Sequence, residues 1–231
     1  MKIIAINGSP RKKNNSMELL QKWIDGVRSV APDADIEQIN LYDLKYTGCR
    51  SCFACKVVGS RFYGTCPIRD DAHDLLAKIR EADAVAIAAP IYFNDINAYT
   101  KCLLERMEFS VETYSGNILT KKAVDFTMLY SMNCTHEQAE RYRLFERLDL
   151  EEYIIGMFYR LPARRVIAYN SYQMDYSKYE TALVDIASKE KQHREQFPKD
   201  LQLAFDTGAS VATDIKSGSS LVGEAKYEPK Y

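Results

Sequence analysis

No stretch of the 231-residue sequence approaches the roughly 18 consecutive apolar residues that a membrane span requires. Neither sign of charge is in excess: 31 Lys and Arg stand against 32 Asp and Glu, a formal net charge of −1. Without the basic surplus of a general nucleic-acid binder, neither nucleic acid nor a membrane is expected as a partner. The three histidines, His73, His136 and His193, are scattered, and none has a second histidine four residues on. No G-x-S-x-G elbow and no Ser-His-Asp order appears. The dinucleotide fingerprint G-x-G-x-x-G and the Walker P-loop are absent as well, as are repeats and low-complexity tracts. The opening MKIIAINGSPRKK puts its apolar stretch before its charges, the reverse of a secretory signal, so a cytoplasmic location is expected. With 46% hydrophobic and 27% charged residues, disorder, collagen and coiled coil drop out.

What is present is an alternation of short apolar runs with longer helical stretches. Strands are expected at Lys2–Asn7, Asp35–Leu41, Ala84–Ala89, Ala123–Tyr130 and Arg165–Asn170. Their near-continuous apolar character is that of parallel strands covered on both faces. Helices are expected at about Ser16–Val30, then 71–81, 97–109, 136–158, 177–195 and 198–216, with Pro198 at the first position of the last. This βαβα pattern predicts a doubly wound α/β fold, a five-stranded parallel sheet of order 2-1-3-4-5 with helices on both faces. Residues 1–216 are expected to form one domain, with a cysteine-containing loop at about 43–70. Residues 217–231 lack periodicity and are expected to be a tail.

Two turns fall at the carboxyl edge of such a sheet, where ligands bind in this architecture. The first, Asn7-Gly8-Ser9-Pro10-Arg11-Lys12-Lys13-Asn14-Asn15-Ser16, offers Ser9, Arg11, Asn15 and Ser16 as donors ahead of a helix N-terminus. That chemistry suits a phosphate. It equally suits a polar connection in which Ser16 is an ordinary N-cap. The second, Pro90-Ile91-Tyr92-Phe93, sets two aromatics beside main-chain N–H groups, able either to flank a flat heterocycle or simply to pack. The loop Ser131-Met132-Asn133-Cys134 should reach the same edge. Cys102 and Cys134 read as packed thiols.

Four of the six cysteines lie close together: Cys49, Cys52 and Cys55 form C-x2-C-x2-C, and Cys66 follows, with Pro67 after it. In a reducing compartment disulfides are disfavoured. Three readings remain open: a [4Fe-4S] cluster, free or redox-active thiols, and structural zinc. Asp70 or Asp71 would cap the following helix. Trp23 falls within the first helix and reads as structural.

The turn G-S-P-R-x-x-x-N-S resembles the G-S-P-R-x-x-G-N-T turn of flavodoxin-like NAD(P)H-dependent FMN reductases and their iron–sulfur flavoprotein relatives, with Asn14 where that family often has Gly. P-I-Y-F followed by Lys101, Glu105 and Arg106 is similar to a second element of the same group. The resemblance covers residues 1–110 by motif. It implies an FMN-dependent oxidoreductase that takes hydride from NAD(P)H and passes electrons to a quinone, a flavin or another acceptor. Ser9, Arg11, Asn15 and Ser16 would hold the FMN phosphate, and Pro90, Ile91, Tyr92 and Phe93 the ring. The flavin would carry the chemistry, with no catalytic side chain required. A homodimer or homotetramer is implied. The cysteine run is similar to the compact cluster motif of the iron–sulfur flavoproteins, although its last spacing is longer. The alternative it implies is an electron carrier taking electrons from ferredoxin through a [4Fe-4S] cluster on Cys49, Cys52, Cys55 and Cys66.

Overall fold

The computed structural model describes residues 1–219, so the expected tail from residue 220 onward lies outside the described residues. The strands are β1 (Lys2–Asn7), β2 (Asp35–Asn40), β3 (Ala84–Tyr92), β4 (Asp95–Ile96), β5 (Asp125–Ser131) and β6 (Arg164–Ala168). The helices are α1 (Asn15–Val30), α2 (Ala72–Glu81), α3 (Ala98–Val111), α4 (His136–Arg141), α5 (Leu144–Tyr159), α6 (Ile186–Glu195) and α7 (Phe197–Ser217). Pairing is parallel in the order β2-β1-β3-β5-β6, with Ile3 opposite Ala84 and Ala84 opposite Asp125. With the short β4 set aside, which pairs antiparallel with the end of β3, this is the expected 2-1-3-4-5 order.

The period of two along a strand distributes the core between two layers. Ile3 and Ala5 of β1 join Ala84, Ala86, Leu129 and Val166 beneath α1 and α7. Ile4 and Ile6 join Val85, Ile87, Phe126 and Met128 on the opposite face, beneath α2, α3 and α5. Because both faces are covered, every residue of β5 is buried, which explains its lack of alternation. Helices α1 and α7 meet almost backbone to backbone. A Cβ on Gly26 would lie 1.9 Å from the Phe205 carbonyl oxygen, and one on Gly208 2.0 Å from that of Trp23. Trp23 is fully buried in this layer, and its Nε1 donates to Thr127 Oγ1 at 3.1 Å. Among the described residues, no helix is long and apolar enough to cross a membrane.

The differences from expectation are local. β3 runs on through Pro90 to Tyr92, and Phe93 and Asn94, both with positive φ, turn the chain into β4. Two successive left-handed residues are the signature of a type I′ hairpin turn. The helix expected over 136–158 is two helices, broken where Arg143 adopts φ +56°. No Gly or Pro signals that break. The helix expected from 177 begins only at Ile186, where Asp185 Oδ1 accepts from Ser188 N at 2.9 Å. Residues 176–178 form a single 3₁₀ turn instead, secured by Asp175. Pro198 is the second residue of α7, still within the first turn.

Candidate functional site

At the end of β1 the chain is pinned from three sides. Asn7 is fully buried; its Nδ2 donates to Asn40 Oδ1 at 3.0 Å and its Oδ1 accepts from Ser9 N at 3.1 Å. Gly8 N donates to the Ala88 carbonyl at 2.7 Å, and the Gly8 carbonyl accepts from Asn97 Nδ2 at 2.9 Å. Thr100 Oγ1 in turn donates to Asn97 Oδ1 at 2.8 Å. A Cβ at Gly8 would stand 2.2 Å from that hydroxyl, so no side chain fits. Ser9 Oγ then accepts from Arg11 N at 3.1 Å, a serine turn that aims the segment over the sheet edge.

Helix α1 is capped by Asn14, whose Oδ1 accepts from Asn15 N, and not by Ser16. Ser16 lies one residue into the helix, and its buried Oγ is 2.8 Å from Ser131 Oγ at the end of β5. Ser9, Arg11, Asn14, Asn15 and Ser16 face a pocket whose opposite wall is Pro90, Ile91 and Tyr92. Ser131 at the end of β5 and Met132 after it reach the same pocket, as expected of that loop, and Ser171 and Gln173 enter after β6. The pocket is a depression that opens to solvent. Tyr92 is 43% exposed at its mouth; its hydroxyl is held above its usual pKa by burial and by Tyr42, with Arg11 opposing. Phe93 is not brought into the pocket: it stands fully exposed at the hairpin tip.

Ser171, Gln173 and Asn14 are the lining residues that sequence reasoning missed. Arg11 Nη1 and Asn14 Nδ2 both donate to the Gln173 carbonyl, at 2.9 and 3.1 Å, and Asn15 Nδ2 donates to that of Tyr172 at 2.9 Å. These contacts run through main-chain carbonyls, so the side-chain identities in the 170–173 loop carry no sign of them. The available signal is topological: β6 ends on the edge where β1, β3 and β5 end. Arg11 retains further N–H donors beyond the one directed at Gln173. With two serine hydroxyls, amide donors and a helix N-terminus around one depression, the residues fit a phosphate monoester, and Pro90–Tyr92 fit the edge of a flat ring.

The second constellation is the cysteine loop. Ser51 and Phe53 both take positive φ, +49° and +57°, so the chain curls between successive cysteines. A bulky residue in that region is a real backbone outlier and is held by its surroundings. Cys49, Cys52, Cys55 and Cys66 line one pocket, together with Pro67, Ile68, Phe109 and Arg106. Burial pushes the Cys55 thiol up, Lys56 opposes this, and the neighbouring Cys52 and Cys66 add to it. Among the described residues, no three His, Cys, Asp or Glu side chains gather tightly enough for a single metal ion. The thiols share the wall of a cavity, and a four-thiol donor set around one cavity fits a polynuclear cluster.

This loop has almost no regular structure and is fastened by side chains. Arg106 Nη1 donates to Asp70 at 2.7 and 2.8 Å and to the Thr47 carbonyl at 3.3 Å, and Nη2 to the Ile68 carbonyl at 3.1 Å. Glu105 accepts from Cys49 N at 3.1 Å, and Lys56 donates to the Phe109 carbonyl while lying 4.1 Å from the centre of the Phe109 ring. Asp70 Oδ1 accepts from Ala72 N at 3.2 Å and so meets the start of α2, whereas Asp71 holds Lys45 N. Beyond the loop, a groove between α3 and α5 is lined by Glu105, Glu108, Glu112, Ile154 and Met157. Lys101 pairs with the buried Glu151, and Glu108 of the groove is pushed up to about 9 by burial and by Glu151.

The chain is 36% identical over 106 residues to an iron-sulfur flavoprotein of Archaeoglobus fulgidus, covering 46% of this chain and 48% of the relative. It is 34% identical over 106 residues to an iron-sulfur flavoprotein of Methanocaldococcus jannaschii, covering 46% and 51%. The chain thus spans about half the length of the curated relatives it matches. Among solved structures it is similar to an NAD(P)H:quinone oxidoreductase from Methanothermobacter marburgensis, with TM-score 0.66 and 17% identity over 91% of this chain and 96% of that one. An azoreductase from Bacillus anthracis gives TM-score 0.64 and 12% identity, over 91% and 99%. At those identities the likeness shows the shared fold. Residues 1–156, more than half of the sequence and the part that carries the first turn, the cysteine loop and the Pro90–Tyr92 wall, match the model of NADPH-dependent FMN reductases, and the chain belongs to that family.

Proposed function

We propose that the chain is an FMN-dependent oxidoreductase that accepts hydride from NAD(P)H and delivers electrons to a quinone, a free flavin or a similar acceptor. One observation carries the reading: the carboxyl ends of β1, β3, β5 and β6 bring anion donors and an apolar wall to a single pocket. Residues 1–216 act as one FMN-binding domain. Ser9, Arg11, Asn15 and Ser16 bind the phosphate, with Asn14 beside them. Pro90, Ile91 and Tyr92 line the ring side, while Phe93, fully exposed at the hairpin tip, stays outside the pocket wall. FMN, when bound, supplies hydride acceptance through its own ring, so the protein's part is binding, orientation and electrostatics. Arg11 contributes the positive charge, and the Gln173 carbonyl holds that side chain in place.

Equilibrium titration with FMN tests this assignment. Arg11→Ala should weaken binding by about 1.5–3 kcal/mol, the ordinary worth of a charged hydrogen bond, and Ser9→Ala by about 1 kcal/mol. Unchanged affinity in both variants would remove the phosphate assignment.

A second reading is favoured by the four thiols on one cavity wall. In it, the chain is an electron carrier that takes electrons from ferredoxin through a [4Fe-4S] cluster on Cys49, Cys52, Cys55 and Cys66. Such a carrier oxidises NAD(P)H poorly while flavin and cluster cycle readily, so NAD(P)H turnover compared with ferredoxin-driven reduction separates the two readings.

A further inference from the structure

Arg106 is the most enclosed charge in the molecule's cysteine region: its side chain is 0% exposed. Its Nη1 is engaged by Asp70 and by the Thr47 carbonyl, and its Nη2 donates to the Ile68 carbonyl. Its Nε is buried and has no acceptor. Buried N–H groups on charged side chains are seldom left unmet, because their desolvation is then uncompensated. Arg106 also lines the pocket walled by the four cysteines.

Resting on the second reading above, we propose that Arg106 Nε–H donates a hydrogen bond to a sulfur of a [4Fe-4S] cluster held by Cys49, Cys52, Cys55 and Cys66, and that this contact raises the cluster's reduction potential. The physical basis is simple. One-electron reduction adds a negative charge to the cluster and moves no proton, so an adjacent cation with an N–H directed at sulfur stabilises the reduced form more than the oxidised one. Asp70 fixes the guanidinium through Nη1, and Nε is left without an acceptor. Arg106 therefore has two separable roles, a structural one through Nη and a tuning one through Nε.

The test is a dithionite titration of the iron- and sulfide-loaded protein, followed by electron paramagnetic resonance, in wild type, Arg106→Lys and Asp70→Asn. Arg106→Lys keeps the charge and the apolar stem but loses Nε, and its cluster midpoint should move to more negative potential at unchanged iron and sulfide content. Asp70→Asn removes a negative charge and keeps Nε, so its midpoint should rise or stay. An unchanged midpoint in Arg106→Lys, or a negative shift shared by both variants, would overturn the inference and leave Arg106 purely structural. Should Arg106→Lys not fold, wild-type protein labelled with ¹⁵N-arginine answers the same question: hyperfine coupling of an arginine nitrogen to the reduced cluster is expected, and its absence overturns the proposal. Wild type that takes up no iron and sulfide, even when reconstituted anaerobically, defeats the cluster reading itself; a loaded cluster indifferent to Arg106 defeats only this inference.

Discussion

The phosphate-type turn and the cysteine loop lie in the same half of the sequence, yet they are built on different principles. The turn at 7–16 is held by backbone and short side chains at the ends of strands: Asn7 to Asn40, Gly8 to Ala88, Asn97 to Gly8. Its geometry follows once the sheet is paired. The cysteine loop has no sheet to lean on. It is fastened by long charged side chains, most of them from α3 or directed onto it: Arg106, Glu105 and Lys56. A ligand site inherited from the fold tolerates sequence change at its rim, whereas one hung on a few ionic anchors depends on each of them.

The contrast is lost most completely at Arg106. Arg106→Met leaves Asp70 without its partner and removes three carbonyl and carboxylate anchors at once. Unpairing a buried ion pair costs about 3–5 kcal/mol, and chemical denaturation should show that loss together with new protease sensitivity across 47–70. The turn at 7–16 should keep its FMN affinity in the surviving folded fraction.

Glu108 tests the same contrast through pH. Its carboxyl is held at about 9 in the folded chain, against an ordinary 4.5, by burial and by Glu151, with Lys101 opposing and Glu105 adding. Across that window the unfolded chain has lost the proton and the folded chain keeps it. The stability this group contributes is therefore full below about pH 4.5 and declines as pH rises toward 9, by no more than about 1.4 kcal/mol per pH unit. Glu108→Gln mimics the protonated form, so it should flatten the decline between pH 6 and pH 9 and be the more stable protein at the alkaline end. Denaturation midpoints at the two pH values check this.

At the turn, Gly8→Ala forces a methyl group against Thr100 Oγ1 and should cost about 1–3 kcal/mol of stability, the range for overpacking, and weaken FMN binding as well. Denaturant unfolding and FMN titration of the variant read the two effects. The smallest effect is expected on the turn's outer rim. Lys12 pairs with Asp43 at 2.7 Å, but both side chains are half exposed. Lys12→Ala should change stability by about 0.2–1 kcal/mol and leave FMN affinity alone.

The layering of the fold was legible because buried parallel strands leave an apolar signature that polar turns interrupt. Lys2–Asn7 matches residue for residue, and the other expected strands fall within about three residues of those observed. What escaped was decided at long range. Arg143 breaks a periodic helix with no Gly or Pro to announce it, and β4 exists only because Phe93 and Asn94 accept a left-handed turn. The same division holds in the candidate site. Ser9, Arg11, Asn15 and Ser16 were legible from their place between a strand and a helix, and the structure gathers them with Pro90, Ile91 and Tyr92. Ser171 and Gln173 were not, because they follow a strand end about 160 residues away in sequence and Gln173 is engaged through its main-chain carbonyl. Arg106 was legible as part of a motif, but its unmet Nε and its place on the wall of the cysteine pocket are properties of packing alone.

The most direct test of FMN binding at the β1–β3–β5–β6 edge is a visible spectrum of the anaerobically purified protein, taken before and after addition of FMN. Flavin absorption bands with about one FMN per chain, retained through gel filtration and lost on denaturation, are expected. A protein that stays colourless and leaves added FMN unbound would contradict that assignment.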